Sequence, residues 1–368
     1  YVLIPSQLDG YTVTSIYSGA FKDNKNITNV KIPNGVTSIG SSAFEGCSNL
    51  KSVTIGKSVT WIGGNAFKGC INLASVSIPD TVASIHDATF DGCISLTRMT
   101  IPDSVTSIDD CAFRGCTSLA RVTIPDSVTS IDNNAFYNCS SLTSITIPDS
   151  VTNIGYNAFC GCSGLTSVTI GNGVMSLYGF VFMDNKNLKN IVIGNSVTSI
   201  DDAEFRGCTG LTSITIPDSV ISIGDSAFEC CSGLKSIVIP DSVTRIGEDA
   251  FKACDSLTKV NITDIVAWCN ISFAYSNSNP LYYAHNLYLN NELVIDLVIP
   301  DGVTSIGNHT FDNCSNLTSI VIPGSVTSIG NRAFENCSNL ASIVIPDSVT
   351  NIGNEAFSGC SSLTSIVI

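Results

Sequence analysis

The sequence predicts a repeat solenoid built mostly of short β-strands, and three observations predict it. Phe21, Phe44, Phe67, Phe90, Phe113, Phe136, Phe159, Phe182, Phe205, Phe228 and Phe251 are each 23 residues apart, and Phe311, Phe334 and Phe357 resume the period after one gap. Between successive Phe residues the same apolar positions recur in one phase. Around two of them the apolar residues alternate with Ser and Thr, as in Leu142-Thr-Ser-Ile145-Thr-Ile147. A fixed period of about 20–50 residues marks units that bury their apolar faces only against their neighbours.

The unit justifies each element in turn. Counting from Phe, position +3 is Cys in twelve of fourteen units, with Asn24 and Asn185 as exceptions, and +6 is Leu in all but one. Position +9 is Val, Ile or Met, and +11 is Ile. Period-two alternation of β-branched residues is a half-buried strand. Pro148 ends that strand in its unit, because Pro has no N–H to donate to a ladder. Asp149-Ser-Val-Thr-Asn-Ile154-Gly then turns the chain and brings two more residues inward. Ala158-Phe159, with Cys162 three residues on, is expected to make a short helical or 3₁₀ turn. Stacked coils pair strand to strand in parallel, about 4.8 Å apart.

The repeat divides the chain into residues 1–260, with eleven Phe-anchored coils, a non-repeat insertion at 261–298, and a second block of three coils at 299–368. In the insertion, Leu287-Tyr-Leu289-Asn290-Asn291-Glu-Leu293-Val-Ile295 reads as a hairpin turning at Asn-Asn. The coil at Val181-Phe182-Met183-Asp184-Asn185 lacks the column Cys and is expected to be looser than its neighbours. Glu204 stands where Ala is usual. Tyr1-Val-Leu-Ile begins as a strand and Thr364-Ser-Ile-Val-Ile368 finishes as one, so both ends read as cut ends rather than natural termini.

Apolar residues are 44% of the 368 and charged residues only 13%, with a formal net charge of −14. That acidity argues against nucleic-acid or anionic-membrane partners, which need basic patches. No run of about 18 apolar residues is present to span a bilayer.

The pattern L-x-x-[IV]-x-I, followed by P-x-x-V-x-x-I-G-x-x-A-F-x-x-C, resembles the treponemal, or BspA-like, class of leucine-rich repeats. The resemblance covers nearly the whole chain. It implies a gently curved right-handed coil with a parallel concave sheet, short convex strands and 3₁₀ or α turns. It also implies an extracellular or cell-surface protein that adheres to host matrix or cell-surface proteins, fibronectin and fibrinogen among them.

Sixteen cysteines invite a disulfide reading. Twelve of them share one inward position, where neighbouring Cβ vectors run parallel and do not converge as a bridge requires. They read as reduced core thiols, and a free Cys packs as a small hydrophobe. Three histidines and no nucleophile, phosphate-loop or metalloprotease motif argue that the chain is not an enzyme. No cofactor or metal is expected. A column of Asp80, Asp103, Asp126 and Asp149 could attract Ca²⁺, but Asp after Pro is better read as a turn former.

Candidate partner contacts fall where the repeat falters. In the outward +8 column, mostly Ser, Arg98, Arg121 and Lys259 intrude. The insertion carries Trp268, Tyr282, Tyr283 and Tyr288, and aromatics are frequent interface anchors. Val321, Val344 and Val367 make an apolar strip in the +10 column. The function read from these residues is a non-catalytic protein-binding or adhesive module. Its rival is a structural spacer that displays other domains or self-associates end to end.

Overall fold

The computed structural model describes residues 2–367. The chain forms two compact units, Tyr1–Ser196 and Val197–Ile368, and each is a β-solenoid. Of the expected terminal strands, Val2–Leu3 and Ser365–Val367 are described. Tyr1, Ile368 and the side chain of Val367 lie outside the described residues.

Each regular coil contributes two short strands. In the first unit one column of parallel strands includes Ser52–Thr54, Ser75–Ser77, Arg98–Thr100, Arg121–Thr123, Ser144–Ile147 and Ser167–Ile170. The register is fixed at 23 residues, for example Val53↔Val76 and Ile145↔Val168. A second column is made of two-residue strands such as Ser107–Ile108 and Ser130–Ile131, again paired in parallel. The second unit repeats both columns with Ser213–Ile214, Ser236–Val238 and Lys259–Ile262, and with Ser222–Ile223 and Arg245–Ile246.

The third side of the coil is not a helix. Cys160 N–H donates to Asn157 O (3.1 Å) and Ala158 N–H to Gly155 O (3.3 Å), which are the i→i−3 bonds expected of a 3₁₀ turn. The residues between them reach instead to the next coil, with Phe159 N–H on Val181 O (3.0 Å) and Gly161 N–H on Met183 O (2.9 Å). Left-handed Asn157 (φ 55°) and Gly161 (φ 70°) break the helical path two residues either side of Phe159. That alternation lets one turn bond both within its coil and to its neighbour. Gly stands at the second left-handed position in many coils because it adopts φ > 0 without a Cβ clash.

The core is a set of columns. From Phe44 to Phe334 the periodic rings are fully buried. In the first unit their centroids lie 5.1–5.7 Å apart and nearly parallel. The cysteines do more than fill space. In regular coils the column thiol donates to the carbonyl of the Phe one coil back, as in Cys70 Sγ to Phe44 O (3.1 Å), Cys139 Sγ to Phe113 O (3.2 Å) and Cys254 Sγ to Phe228 O (3.2 Å); Cys314, which follows the insertion, bonds the Leu287 backbone instead. The Phe carbonyl also accepts its own coil's Cys N–H, as Phe44 O does from Cys47. The position therefore asks for a small side chain with a donor, and Cys supplies one in little volume. All sixteen cysteines are thiols and none is bridged.

This requirement explains Asn185. The coil around it is not loose: Val181, Phe182, Asn185 and Leu188 are fully buried, and Phe182 stacks on Phe159 at 5.7 Å. Asn185 Nδ2 donates to Phe159 O (3.0 Å) and Phe182 O (2.8 Å), standing in for both thiol and backbone donors. The departure from the repeat lies just upstream. There the second-column strand shrinks to the single bridge Ile154↔Leu177, and Phe180 takes the left-handed position at φ 65°. Asn185 Oδ1 is buried without a hydrogen-bond partner. Asn185→Cys is therefore expected to stabilise the protein by about 1 kcal/mol, because it keeps a donor and removes an orphaned acceptor. A raised urea midpoint would show it, and a lowered one would refute the donor argument. Glu204, at the alanine position, is also fully buried.

In the second unit the insertion is an enlarged coil. Leu287–Leu289 pairs in parallel with Lys259–Ile262, and Ser272–Phe273 extends the second column from Arg245–Ile246. Short helices Ile265–Cys269 and Leu281–Ala284 and the 3₁₀ turn Ser276–Ser278 replace the regular turns. The expected hairpin is present, with Leu287–Leu289 antiparallel to Glu292–Leu293 across left-handed Asn290 and Asn291. Where regular coils use a Phe N–H to cap the carbonyl before the next Phe, side chains take over. Trp268 Nε1 donates to Thr310 O (2.9 Å), and Asn279 Nδ2 to His309 O (2.6 Å) and Thr310 O (3.1 Å).

Candidate partner-binding surfaces

Charge placement separates structural from available side chains. At the position after Phe, several neighbouring coils carry opposite charges that pair, although Tyr137, Cys160 and Met183 interrupt the series and Asp312 and Glu335 follow one another with like charge. Lys22 meets Glu45 at 3.1 Å, Lys68 meets Asp91 at 3.5 Å, and Arg114 forks onto Asp91 with bonds of 3.0 and 2.9 Å. In the second unit Arg206 meets Glu229 at 2.9 Å. In each pair the base is exposed and the acid more buried, and such surface-accessible pairs contribute little energy each.

Arg98 and Arg121 follow the opposite rule. They are direct partners on adjacent parallel strands, and both are exposed. No carboxylate pairs with either guanidinium among the described residues. Like charges face to face on a sheet repel, so the pair keeps both side chains extended into solvent over a flat floor of Thr100, Thr123, Ser144 and Thr146.

The insertion residues fare differently. Trp268 is a core residue, 1% exposed, with its ring edge-on to Phe273 at 5.4 Å and its N–H spent on Thr310. It is removed from the set of candidate contacts, because the widened coil needs a large ring inside it. Lys259 lies over the Tyr288 ring at 4.5 Å and donates to Asn291 Oδ1 (3.0 Å), so the hairpin holds the ammonium in place. Tyr282 is exposed and packs edge-on against Tyr283 at 5.0 Å. Burial, with Asp249 nearby, pushes the Tyr283 phenol up to about 12, so it stays a neutral hydrogen-bonding group. The structure thus joins Arg98 with Arg121, Lys259 with Tyr288, and Tyr282 with Tyr283.

Nothing among the column thiols resembles an activated nucleophile. Burial lifts Cys254 and Cys314 to about 12, far from thiolate at neutral pH. Among the described residues no group of His, Cys, Asp or Glu is arranged to hold a metal ion. In the Asp column after Pro, Asp149 Oδ1 accepts from Asn172 N–H at 2.7 Å, a turn contact. No helix among the described residues is long and apolar enough to cross a membrane.

Sequence reasoning missed several exposed residues. Val298 joins Val321 and Val344 in register, at 63%, 57% and 60% exposed. Trp61, at a Ser position of the second column, is 49% exposed with its ring 4.1 Å from His86. Tyr156 and Tyr178 form an exposed pair at 6.0 Å. Reading down the outward columns would have found Trp61, which breaks a run of Ser, and Val298, which extends the Val run back into the insertion.

The comparisons agree with this architecture. The BspA type leucine-rich repeat region, in six copies, matches residues 14–142, 83–212, 177–292 and 283–368. A leucine-rich repeat protein from Bacteroides ovatus is 31% identical with a TM-score of 0.68, over 93% of this chain and 87% of its own. A leucine rich cell surface protein from Faecalibacterium prausnitzii is 32% identical with a TM-score of 0.51, over 99% of this chain and 86% of its own. No curated protein matches the chain. The chain belongs to the BspA-type leucine-rich repeat family.

Proposed function

We propose that the chain is a non-catalytic protein-binding module of the cell surface, and that its first-column sheet face engages an acidic patch on a protein partner. One observation carries this reading: Arg98 and Arg121 are direct partners on the sheet, and neither guanidinium meets a carboxylate among the described residues. Carboxylates of a partner can bridge two guanidinium groups about 4.8 Å apart with little loss of their fork geometry. The Lys259–Tyr288 pair and exposed Tyr282 offer a second contact in the other unit. The cell-surface description of the Faecalibacterium relative supports the location, and host matrix or cell-surface proteins are the partners to screen first.

The test is binding of Arg98→Glu/Arg121→Glu to immobilised matrix proteins such as fibronectin and fibrinogen. The double variant should bind at least about tenfold more weakly, a loss of about 1.4 kcal/mol, with an unchanged circular dichroism spectrum. Unchanged binding would remove the sheet face from the interaction.

A further inference from the structure

We propose that the outer face of the second strand column in the first unit binds a lysine- or arginine-rich extended segment of a partner protein. This surface is distinct from the one carrying the arginine pair. The strands Ser84–Ile85, Ser107–Ile108, Ser130–Ile131 and Asn153–Ile154 stack in register, and the residues that follow them form two outward columns. One column runs His86, Asp109, Asp132, and the next Asp87, Asp110, Asn133.

Four carboxylates thus lie on three adjacent coils. Among the described residues the only basic side chain paired with them is His86, whose Nδ1 lies 2.9 Å from Asp109 Oδ2. Burial and the neighbouring Asp109, Asp110 and Asp87 all push the Asp132 carboxyl up, as expected of acids crowded without a counterion. The opposite-charge pairing seen beside the Phe column is absent here; Ser107 Oγ donates to Asp109 and Asn133 to Asp110, and cations of a partner would supply the missing charge.

Aromatic rings close both ends. Trp61 and His86, with Asp87 and Asp109, line an open cavity of about 350 Å³. Four coils further on stand the exposed rings of Tyr156 and Tyr178. Indole and phenol faces hold ammonium and guanidinium groups by cation–π contact, and carboxylates hold them by charge. The span between the ends, about 20 Å, matches about six residues of extended chain. Spread over coils in this way, the charge suits a linear polycation better than a point ion.

A short fluorescein-labelled peptide of alternating lysine and serine is the probe. Of the two tryptophans, Trp268 is buried, so a change in emission reports Trp61 directly. The peptide should saturably shift that emission. Asp109→Asn/Asp110→Asn/Asp132→Asn should weaken binding about tenfold or more at fixed salt, and Trp61→Ser should weaken it independently. Asn133 stands one coil from Asp110 and Ser84 one coil from Trp61 at equivalent positions, and thermal unfolding checks that all the variants keep the fold. A matched set of exposed acids in the second unit, Asp218→Asn/Asp301→Asn/Asp347→Asn, should leave binding unchanged. Equal weakening by both sets would reduce the effect to general attraction toward an acidic chain and overturn the proposal. So would the absence of a saturable Trp61 signal, or peptide-free self-association lost on Arg98→Glu, which would make a second copy the occupant.

Discussion

Phe113→Ala is expected to destabilise the protein by about 3–5 kcal/mol, the range for removing a large aromatic ring from a packed core. Phe113 is fully buried between Phe90 at 5.4 Å and Phe136 at 5.2 Å. The cavity left behind cannot close easily. Phe90 N–H is bound to Ala112 O (2.8 Å) and Phe113 N–H to Ala135 O (2.7 Å), so the backbone ladder sets the separation of the flanking rings. The Phe113 carbonyl would still accept from Cys116 N–H and Cys139 Sγ, which confines the loss to the ring. Phe21, only half-buried in its coil, should cost distinctly less when truncated the same way. Urea unfolding of both variants measures the difference. Similar small losses at the two positions would mean that the ring column does not carry the core.

Asn279→Ala is expected to produce the other large loss, at the point where the repeat is interrupted. Asn279 is fully buried, donates to His309 O and Thr310 O, and accepts from Leu281 N–H (2.9 Å). A buried backbone group left without its partner costs about 1–3 kcal/mol. Thr310 O keeps Trp268 Nε1 and His309 O keeps Asp312 N–H (3.2 Å) as donors, so the stranded Leu281 N–H bears most of the cost. The expected total is about 1–3 kcal/mol. Faster exchange at the Leu281 amide, together with a lowered urea midpoint, would locate the effect. An amide that stays protected in the variant would show that Asn279 is not what replaces the ladder.

Both predictions trace to residues of different legibility. The Phe, Leu and Ile columns were readable because identical coils force identical burial, and a fixed spacing reports that directly. The donor role of the Cys position was hidden, since a thiol in a core reads as a hydrophobe until its carbonyl partner is seen. Asn185 held the clue, because an amide in that column makes sense only as a donor. Trp268 was misread for a related reason. Aromatics in a non-repeat segment advertise a surface, yet this segment had to fill the space of a ring column with residues outside the repeat. The Arg98–Arg121 adjacency was legible from the spacing, whereas the pairing beside the Phe column needed side-chain geometry. The Trp61 face escaped because its residues, from Trp61 to Tyr178, are spread over more than a hundred positions and converge only once the coils are stacked.

The insertion also shows what length changes this chain can absorb. Duplicating or deleting a stretch of 23 residues leaves thiol donors, left-handed turns and strand partners in phase with their neighbours. Any other number throws every downstream column out of step. Residues 261–298 escape that rule only because an indole and a buried amide meet carbonyls that a neighbouring coil would otherwise serve. Growth and shortening of such a protein should therefore proceed by whole coils. A stray insertion should survive only where it brings its own hydrogen-bond donors with it.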